Sequence, residues 1–146
     1  MNENIVKIIP IFGLPEFKKN DDLIQMLDIG FSNNEEKFME NDVLVITQKI
    51  ISKIEDRAID LEVNNISEVL KNESTEILRK RGETTIARTK HGFICANAGI
   101  DKSNIDKGYA LLLPEDPDKT AGVLRRKINH KYGVNVAVII SDTFGR

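Results

Sequence analysis

The sequence predicts a mixed α/β fold, in which a mixed sheet carries peripheral helices. Short apolar runs rich in β-branched residues alternate with segments whose apolar residues recur at helical spacing. The 146 residues are 40% hydrophobic and 30% charged, which is typical of a globular domain. A chain of this length can bury a sizeable core, so we expect a single domain over residues 1–146.

The amino-terminal segment predicts a strand followed by a helix. The apolar run Ile5–Ile11 is rich in β-branched residues and leads into FGLPEF, which indicates a strand that enters a Gly/Pro turn. Asn20 or Asp21 is the expected N-cap of the helix that follows, and Gly30 is its expected end.

The middle of the chain predicts two strands, a helix and a hairpin. Asp42–Thr47 is an apolar run that indicates a buried strand. Apolar residues at helical spacing predict one peripheral helix over Ile66–Arg81, in which Arg79–Arg81 would form part of a solvated face. TTIARTKHGFICAN predicts two short strands joined near His91, and YALLL predicts another strand.

The last third predicts a well-bounded helix and a final strand. Asp116 is a good N-cap, Pro117 suits the first helical position, and Gly133 follows the last apolar residue of the helical face. NVAVIIS then predicts a buried strand, with DTFGR after it. Because a strand at a chain end lacks a covering helix, we expect the domain to continue past residue 146.

Composition excludes several function classes. Lys and Arg total 21 against 23 Asp and Glu, so the net charge of −2 provides no basic field for nucleic acid. The sequence contains no apolar stretch of membrane-spanning length and no signal peptide, so we expect a cytoplasmic protein with no membrane partner. The single cysteine, Cys95, has apolar neighbours and is interpreted as a buried small residue rather than a reactive thiol.

Three polar clusters follow apolar strands, at Lys49–Lys53, Asp101–Asn104 and Ser141–Thr143. The carboxyl ends of strands are the usual ligand sites of α/β sheets, so together the clusters suggest a site for a nucleotide and a divalent metal. Taken singly, each also fits an ordinary role. Asp and Asn favour turns, and most lysines keep their ammonium group in water, so both interpretations stay open on spacing alone.

Five motifs in order give this sequence a specific resemblance to a known family. GLPEFKKNDDL, ITQKIISKIEDR, HGFICANAGIDKSN, LLLPEDPD and SDTFGR resemble the coenzyme F420-0:γ-glutamyl ligases over about residues 8–146. The resemblance implies the fold of that family and a GTP-dependent amide ligase that adds L-glutamate, and further γ-linked glutamates, to coenzyme F420-0 through an acyl phosphate. It also implies Mg²⁺ or Mn²⁺ at two sites, K⁺ as a further possible ion, and a homodimer.

The resemblance also implies roles for individual residues, without a side-chain nucleophile. The implied metal ligands are Asp101, Asp142 and Thr143. The implied nucleotide contacts are Leu14, Pro15, Glu16, Phe17, Gln48, Lys49, Lys53 and Asn104. Where the family commonly has Gly before the double aspartate, this chain has Asn20, which also tolerates a positive φ. A non-catalytic nucleotide- or metal-binding fragment and an amide ligase acting on another carboxylate are the alternative functions.

Overall fold

The computed structural model describes residues 5–103 and 105–142, and over these ranges the chain forms the predicted mixed α/β fold. Its helices are α1 (Leu23–Asn34), α2 (Gln48–Ile54), α3 (Ile66–Glu73) and α4 (Pro117–Tyr132). Its strands are β1 (Val43–Thr47), β2 (Ala58–Asp60), β3 (Ser74–Arg81), β4 (Thr84–Thr89), β5 (Ile94–Ala96), β6 (Tyr109–Leu111) and β7 (Ala137–Ser141). Two residues with predicted site roles, Asn104 and Thr143, lie outside the described residues.

The described strands are divided among three small sheets. β1 pairs with β7 in parallel, and β2 pairs with β6 antiparallel. The strands β3, β4 and β5 form an antiparallel sheet in sequence order. None of the helices within the described ranges is long and apolar enough to cross a lipid bilayer.

The core packs against one face of the β1–β7 pair. Strand side chains alternate between two faces, so Ile46 points into the core while Val45 and Ile139 remain 60% and 48% exposed on the opposite face. The prediction of buried strands is therefore correct for one face only. The other core residues come mainly from α1, α2 and α4, and the buried cluster comprises Ile24, Leu27, Phe38, Ile46, Ile51, Leu124, Ile128 and Val136.

The predicted strand at Ile5–Ile11 is wrong. These residues form no strand, and Ile5, Val6 and Ile8 are at least 75% exposed. A β-branched run favours extended backbone, but a strand also requires a paired neighbour, and this segment pairs with none of the described strands. The segment is tied down at Phe12, whose backbone exchanges hydrogen bonds with the Asn34 side chain at the end of α1.

Both predicted boundaries of the first helix are wrong. Asp22 is the N-cap of α1, and its carboxylate accepts a hydrogen bond from the backbone N–H of Ile24. Asp21 instead accepts from the backbone of Lys18 in the preceding turn, where Asn20 adopts a φ of 64°. Gly30 lies inside the helix.

The position of Gly30 has a packing explanation. A Cβ at Gly30 would lie 2.6 Å from a methyl carbon of Ile11 and 2.8 Å from one of Leu14. The glycine therefore lets the amino-terminal loop cross close to α1, and the helix continues to Asn34.

The single helix predicted over Ile66–Arg81 is also wrong in its second half. Helix α3 begins after the N-cap Asn65 and ends at Glu73, and the chain then continues as β3. Ile77 and Leu78 are 48% and 42% exposed, so these two apolar residues do not form the buried face of a helix, although their spacing in the sequence is helical. Residues 74–81 are extended because they pair with β4, and this pairing outweighs the helical spacing of their apolar residues. Arg79–Arg81 consequently lie on a strand.

The remaining elements are confirmed. Asp116 caps α4 by accepting from the backbone N–H of Lys119, and Gly133 ends the helix with a φ of 70°. β4 and β5 form the expected hairpin, with His91 in its turn. Helix α3 is peripheral, as predicted, and contains no buried residue.

Candidate functional site

Helix α2 carries three of the predicted nucleotide-site residues. It begins at Gln48, directly after β1, so Lys49 and Lys53 lie four residues apart on the same face. Gln48 is 4% exposed, and its side-chain oxygen accepts a hydrogen bond from the buried Ser52 hydroxyl at 2.8 Å. This bond fixes the amide of Gln48 at the carboxyl end of the strand.

Lys49 reaches across to the predicted metal carboxylate. Its Nζ lies 2.7 Å from Oδ2 of Asp101 and donates a hydrogen bond to Oγ of Ser103 at 2.8 Å. The Lys49 and Asp101 side chains are 20% and 22% exposed. Lys49 is therefore a largely buried, paired cation rather than a solvated lysine.

The Asp101 carboxylate is held by three donors. Its Oδ1 accepts from the Ser103 backbone N–H at 2.8 Å, and its Oδ2 accepts from the Ser103 hydroxyl at 3.0 Å as well as from Lys49. Burial raises the pKa of the Asp101 carboxyl, but the hydrogen bonds from Lys49 and Ser103 outweigh burial and leave the pKa below its usual range. Asp101 is thus ionised at neutral pH.

A left-handed turn positions Asp101. Asn97, Ala98 and Gly99 have successive φ values of 51°, 53° and 76°, a conformation that is costly for residues other than glycine. The Asn97 side chain stabilises the turn by accepting from the backbone N–H of Thr85 at 2.9 Å. Asp101 then exchanges two backbone hydrogen bonds with Leu111, which fixes it beside β6.

Lys53 pairs with the predicted amino-terminal loop. Its ammonium forms an ion pair with the Glu16 carboxylate. Lys53 is 21% exposed, whereas Glu16 is 73% exposed. Within this loop Phe17 is buried and Leu14 is half-buried against Gly30, while Pro15 is exposed. Phe17 and Leu14 therefore anchor the loop, and Glu16 presents its carboxylate to α2.

A cleft opens where β1 and β7 end. Thr47 pairs with Ser141 in the parallel pair β1–β7. Gln48 and Asp142, the next residues along the chain, therefore both follow the carboxyl ends of these neighbouring strands. The cleft has a volume of about 320 Å³ and both residues line it. Its other lining residues are His91, Phe93, Leu113, Pro114, Pro117, Asp118, Ala121, Val138, Ile139, Ile140 and Ser141.

Cys95 has a thiol that is partly shielded from water. Burial raises the pKa of the Cys95 thiol, and the negative charge of Asp142 raises it further. A raised pKa keeps the thiol protonated and therefore weakly nucleophilic, which agrees with the interpretation of Cys95 as a structural residue. The residue is half-buried rather than fully buried.

Two of the three predicted metal ligands, Asp101 and Asp142, lie within the described residues. Asp101 offers an ionised carboxylate and Asp142 an exposed one, and carboxylate oxygens suit Mg²⁺ and Mn²⁺. Over residues 5–103 and 105–142, no group of three His, Cys, Asp or Glu side chains comes together in a way that could hold a metal. The carboxylate chemistry of Asp101 and Asp142 fits such an ion, and their role as metal ligands stays a prediction.

The structure gives specific contacts to two residues for which the sequence predicts no individual role. Ser103 lies in the polar cluster Asp101–Asn104, and the structure shows that it bonds both Lys49 and Asp101. His91 lines the cleft beside Asp142, and its Nε2 lies 3.0 Å from the carbonyl oxygen of Glu115. Sequence alone indicates only a hairpin turn for His91, because nothing in the spacing shows that the turn folds over the sheet edge.

Comparison with known proteins identifies the family to which these residues belong. The family model described as F420-0:Gamma-glutamyl ligase matches residues 12–146 of the sequence. The chain belongs to this family. The resemblance inferred from the five motifs is therefore confirmed, and Lys49, Lys53, Asp101 and Asp142 all lie within the matched range.

Curated relatives agree with this family. The chain is 35% identical over 158 aligned positions to a protein from Methanothermobacter thermautotrophicus named coenzyme F420:L-glutamate ligase, covering 97% of this chain and 63% of the relative. It is 38% identical over 157 positions to the protein of the same name from Archaeoglobus fulgidus, covering 97% of this chain and 61% of that protein. The Methanopyrus kandleri protein of that name is 33% identical, with 97% and 61% covered. The chain thus spans about three-fifths of the length of these relatives.

Proposed function

We propose that this chain is part of a GTP-dependent amide ligase that joins L-glutamate to coenzyme F420-0. One observation supports this proposal most directly. In this member of the F420-0:gamma-glutamyl ligase family, two largely buried lysines, Lys49 and Lys53, and the ionised Asp101 lie around the carboxyl end of β1. The proposed acceptor, coenzyme F420-0, and the proposed amino acid, L-glutamate, are taken from the name of the relatives, coenzyme F420:L-glutamate ligase.

The proposed reaction passes through an acyl phosphate. A carboxylate oxygen of F420-0 attacks the γ-phosphorus of GTP, the bond to the β-phosphate oxygen breaks, and GDP leaves. The amine of L-glutamate then attacks the acyl carbon, loses a proton, and expels inorganic phosphate as the amide forms. Repetition on the new glutamate γ-carboxylate would extend the chain. Both steps need neutralised phosphate oxygens and aligned reactants, and neither needs a side-chain nucleophile.

The charges of the described residues suit the neutralisation of phosphate oxygens that this reaction requires. Lys49 and Lys53 present ammonium groups from one face of α2, where a triphosphate would need positive charge. Asp101 and Asp142 would hold Mg²⁺ or Mn²⁺, which when bound neutralises phosphate oxygens. Gln48, fixed by Ser52, would offer its amide to the nucleotide. Leu14, Pro15, Glu16 and Phe17 would border the nucleotide next to Lys53.

The wider proposal follows from the same family membership. Asn104 is proposed as a further nucleotide contact, and Thr143 as a ligand of a second metal ion. We also propose a cytoplasmic homodimer, with K⁺ as a further ion of the site. Nucleic acid and membranes are not proposed as partners.

A ligation assay on the protein expressed in its natural reading frame tests the proposed ligase activity. F420-0, L-glutamate, GTP and Mn²⁺ are supplied, and glutamylated products are separated by mass. The expected result is F420 with added glutamate, together with one GDP and one phosphate for each amide formed. GTP hydrolysis without product would favour another carboxylate substrate, and binding without any turnover would favour a non-catalytic module.

A pair of lysine variants tests the nucleotide assignment. Lys53→Ala is expected to raise the KM for GTP or lower kcat about tenfold or more, because it removes positive charge from the phosphate region. Lys102→Ala, which removes an exposed lysine, serves as the matched control and should change either constant less than about twofold. Equal kinetics for the two variants would remove Lys53 from the nucleotide site.

A further inference from the structure

The acceptor capacity of Asp101 is almost filled by the protein itself. An ionised carboxylate offers about four acceptor positions. Ser103 uses one on Oδ1 and one on Oδ2, and the Lys49 ammonium uses another on Oδ2 at 2.7 Å. The position left free is on Oδ1, so a divalent cation that binds Asp101 must either take that position while the ammonium stays on Oδ2 or replace the ammonium.

Electrostatics decides between these two arrangements. A divalent cation on one oxygen of a carboxylate and an ammonium on the other would lie roughly 4–6 Å apart, where like charges still repel in a partly buried site. Lys49 and Asp101 are about one-fifth exposed, so solvent screens this repulsion only in part. Ser103 donates without carrying a charge and can stay in place.

We propose that the Lys49 ammonium and a divalent cation compete for the Asp101 carboxylate, so that Lys49 sets the cation affinity of this site before nucleotide binds. The inference rests on the proposed function for the identity of the cation. Lys49 is a positioning residue: while the cation is absent it neutralises Asp101 and, with Ser103, holds the carboxylate in one orientation. Displacement by the cation releases the ammonium on the same face of α2 as Lys53, where it can meet an anionic phosphate.

Mn²⁺ titration of the protein expressed in its natural reading frame tests this competition. The free Mn²⁺ is measured by electron paramagnetic resonance in the absence of nucleotide. Lys49→Met keeps an unbranched side chain of nearly the same length but removes its charge, and we expect it to lower the Kd for Mn²⁺ about tenfold. Lys102→Met is the matched control, since it makes the same change in net charge at an exposed lysine next to Asp101 and should lower the Kd less than about twofold. Adding Asp101→Asn to Lys49→Met should abolish the gain.

A second measurement uses the unaltered chain, so it does not depend on the folding of a variant. Lysine acylation is followed by peptide mass spectrometry with and without Mg²⁺. Mg²⁺ should increase the acylation of Lys49 relative to Lys102, because the released ammonium becomes accessible. Equal Kd shifts for the two methionine variants, a gain that survives Asp101→Asn, or unchanged Lys49 labelling would each overturn the proposal. These readouts require no ligation, so an inactive protein with the expected Mn²⁺ response would contradict the proposed function while leaving the competition intact.

Discussion

The hydroxyl of Tyr132 donates a hydrogen bond to Oδ1 of Asp28 at 2.6 Å, joining the end of α4 to the middle of α1. Lys131 pairs with the other oxygen of the same carboxylate. Burial and the neighbouring Asp28 charge together raise the pKa of Tyr132, so the phenol remains a donor at any physiological pH. These contacts link the two helices that cover the β1–β7 pair.

Removing this hydroxyl should destabilise the helix pair. Tyr132→Phe is expected to lower the free energy of unfolding by about 1 kcal/mol, because the ring stays packed near Phe38 while the hydrogen bond is lost. Chemical denaturation measures the change. Tyr109→Phe, at a 41% exposed tyrosine, is the control and should leave stability within about 0.5 kcal/mol. Equal losses in both variants would show that the Asp28 bond contributes nothing.

The same carboxylate should make part of the stability depend on pH. Hydrogen bonds from Lys131 and Tyr132 lower the pKa of Asp28, so its folded-state pKa lies below the unfolded value of about 3.9. Its contribution is fully present above the unfolded pKa and is lost as pH falls through the folded one. The Tm difference between wild type and Asp28→Asn should therefore shrink below about pH 4. Asp106→Asn, at an exposed loop residue, is the control for the change in net charge. If the Tm difference between wild type and Asp28→Asn stayed constant down to about pH 2, Asp28 would not be the source of the pH dependence.

Arg57 should be far more sensitive to substitution than a surface arginine. Its Nη2 bonds Glu73 at 2.6 Å and its Nε bonds the carbonyl oxygen of Leu113 at 2.9 Å, with 18% of the side chain exposed. Arg57→Lys cannot make both contacts and should cost about 2 kcal/mol. Arg88→Lys is the matched control, because Arg88 and Glu76 are 43% and 55% exposed, and it should cost about 0.5 kcal/mol or less. Denaturant midpoints that move equally would refute the difference in burial as the cause.

The left-handed turn before Asp101 should not tolerate a side chain at Gly99. A Cβ there would lie 2.7 Å from two carbons of the buried Leu113 side chain, at a φ of 76°. Gly99→Ala is therefore expected to lower stability by about 2–3 kcal/mol. Gly108→Ala separates the two causes, since Gly108 has a φ of 94° but a Cβ added there would meet no atom within 4 Å; it should cost about 1 kcal/mol. A similar cost for both would mean that Leu113 yields without penalty.

The uncovered face of the β1–β7 pair should bind hydrophobic dye. Val43, Val45 and Ile139 are about half exposed on this face, which makes a contiguous apolar surface. Val45→Thr keeps a β-branched residue but adds a hydroxyl, and it should reduce anilinonaphthalene sulfonate fluorescence and light scattering. Val63→Thr makes the same change at an isolated valine that is 81% exposed, and should have little effect. Undiminished dye binding by Val45→Thr would place the apolar surface elsewhere.

Local sequence predicts several boundaries that depend on one residue's own chemistry, although the N-cap of α1 at Asp22 is an exception. The cap at Asp116, the left-handed end at Gly133 and the β4–β5 hairpin are all predicted correctly, because capping and turn formation involve neighbours in the chain. Asn20 adopts the positive φ that its amide side chain tolerates. The motifs are likewise sufficient to identify the family.

Local sequence fails wherever a partner distant in the chain decides the outcome. Ile5–Ile11 has the composition of a strand but pairs with none of the described strands, whereas Ser74–Arg81 has helical spacing but pairs with β4. Gly30 resembles a helix end in the sequence, yet its function is to admit Ile11 and Leu14, which lie outside the helix.

The sequence by itself determined the α/β class, the family and the residue types around the site. The tertiary structure alone decided that Lys49 pairs with Asp101, which lies far along the chain, and Lys53 with Glu16. It also decided that Asp142 faces a cleft with Gln48. The physical reason is that a motif specifies which charges are present, but the distances between charges, and their shielding from water, arise only when the parallel pairing of β1 with β7 and the turn at Asn97–Gly99 bring separate segments together.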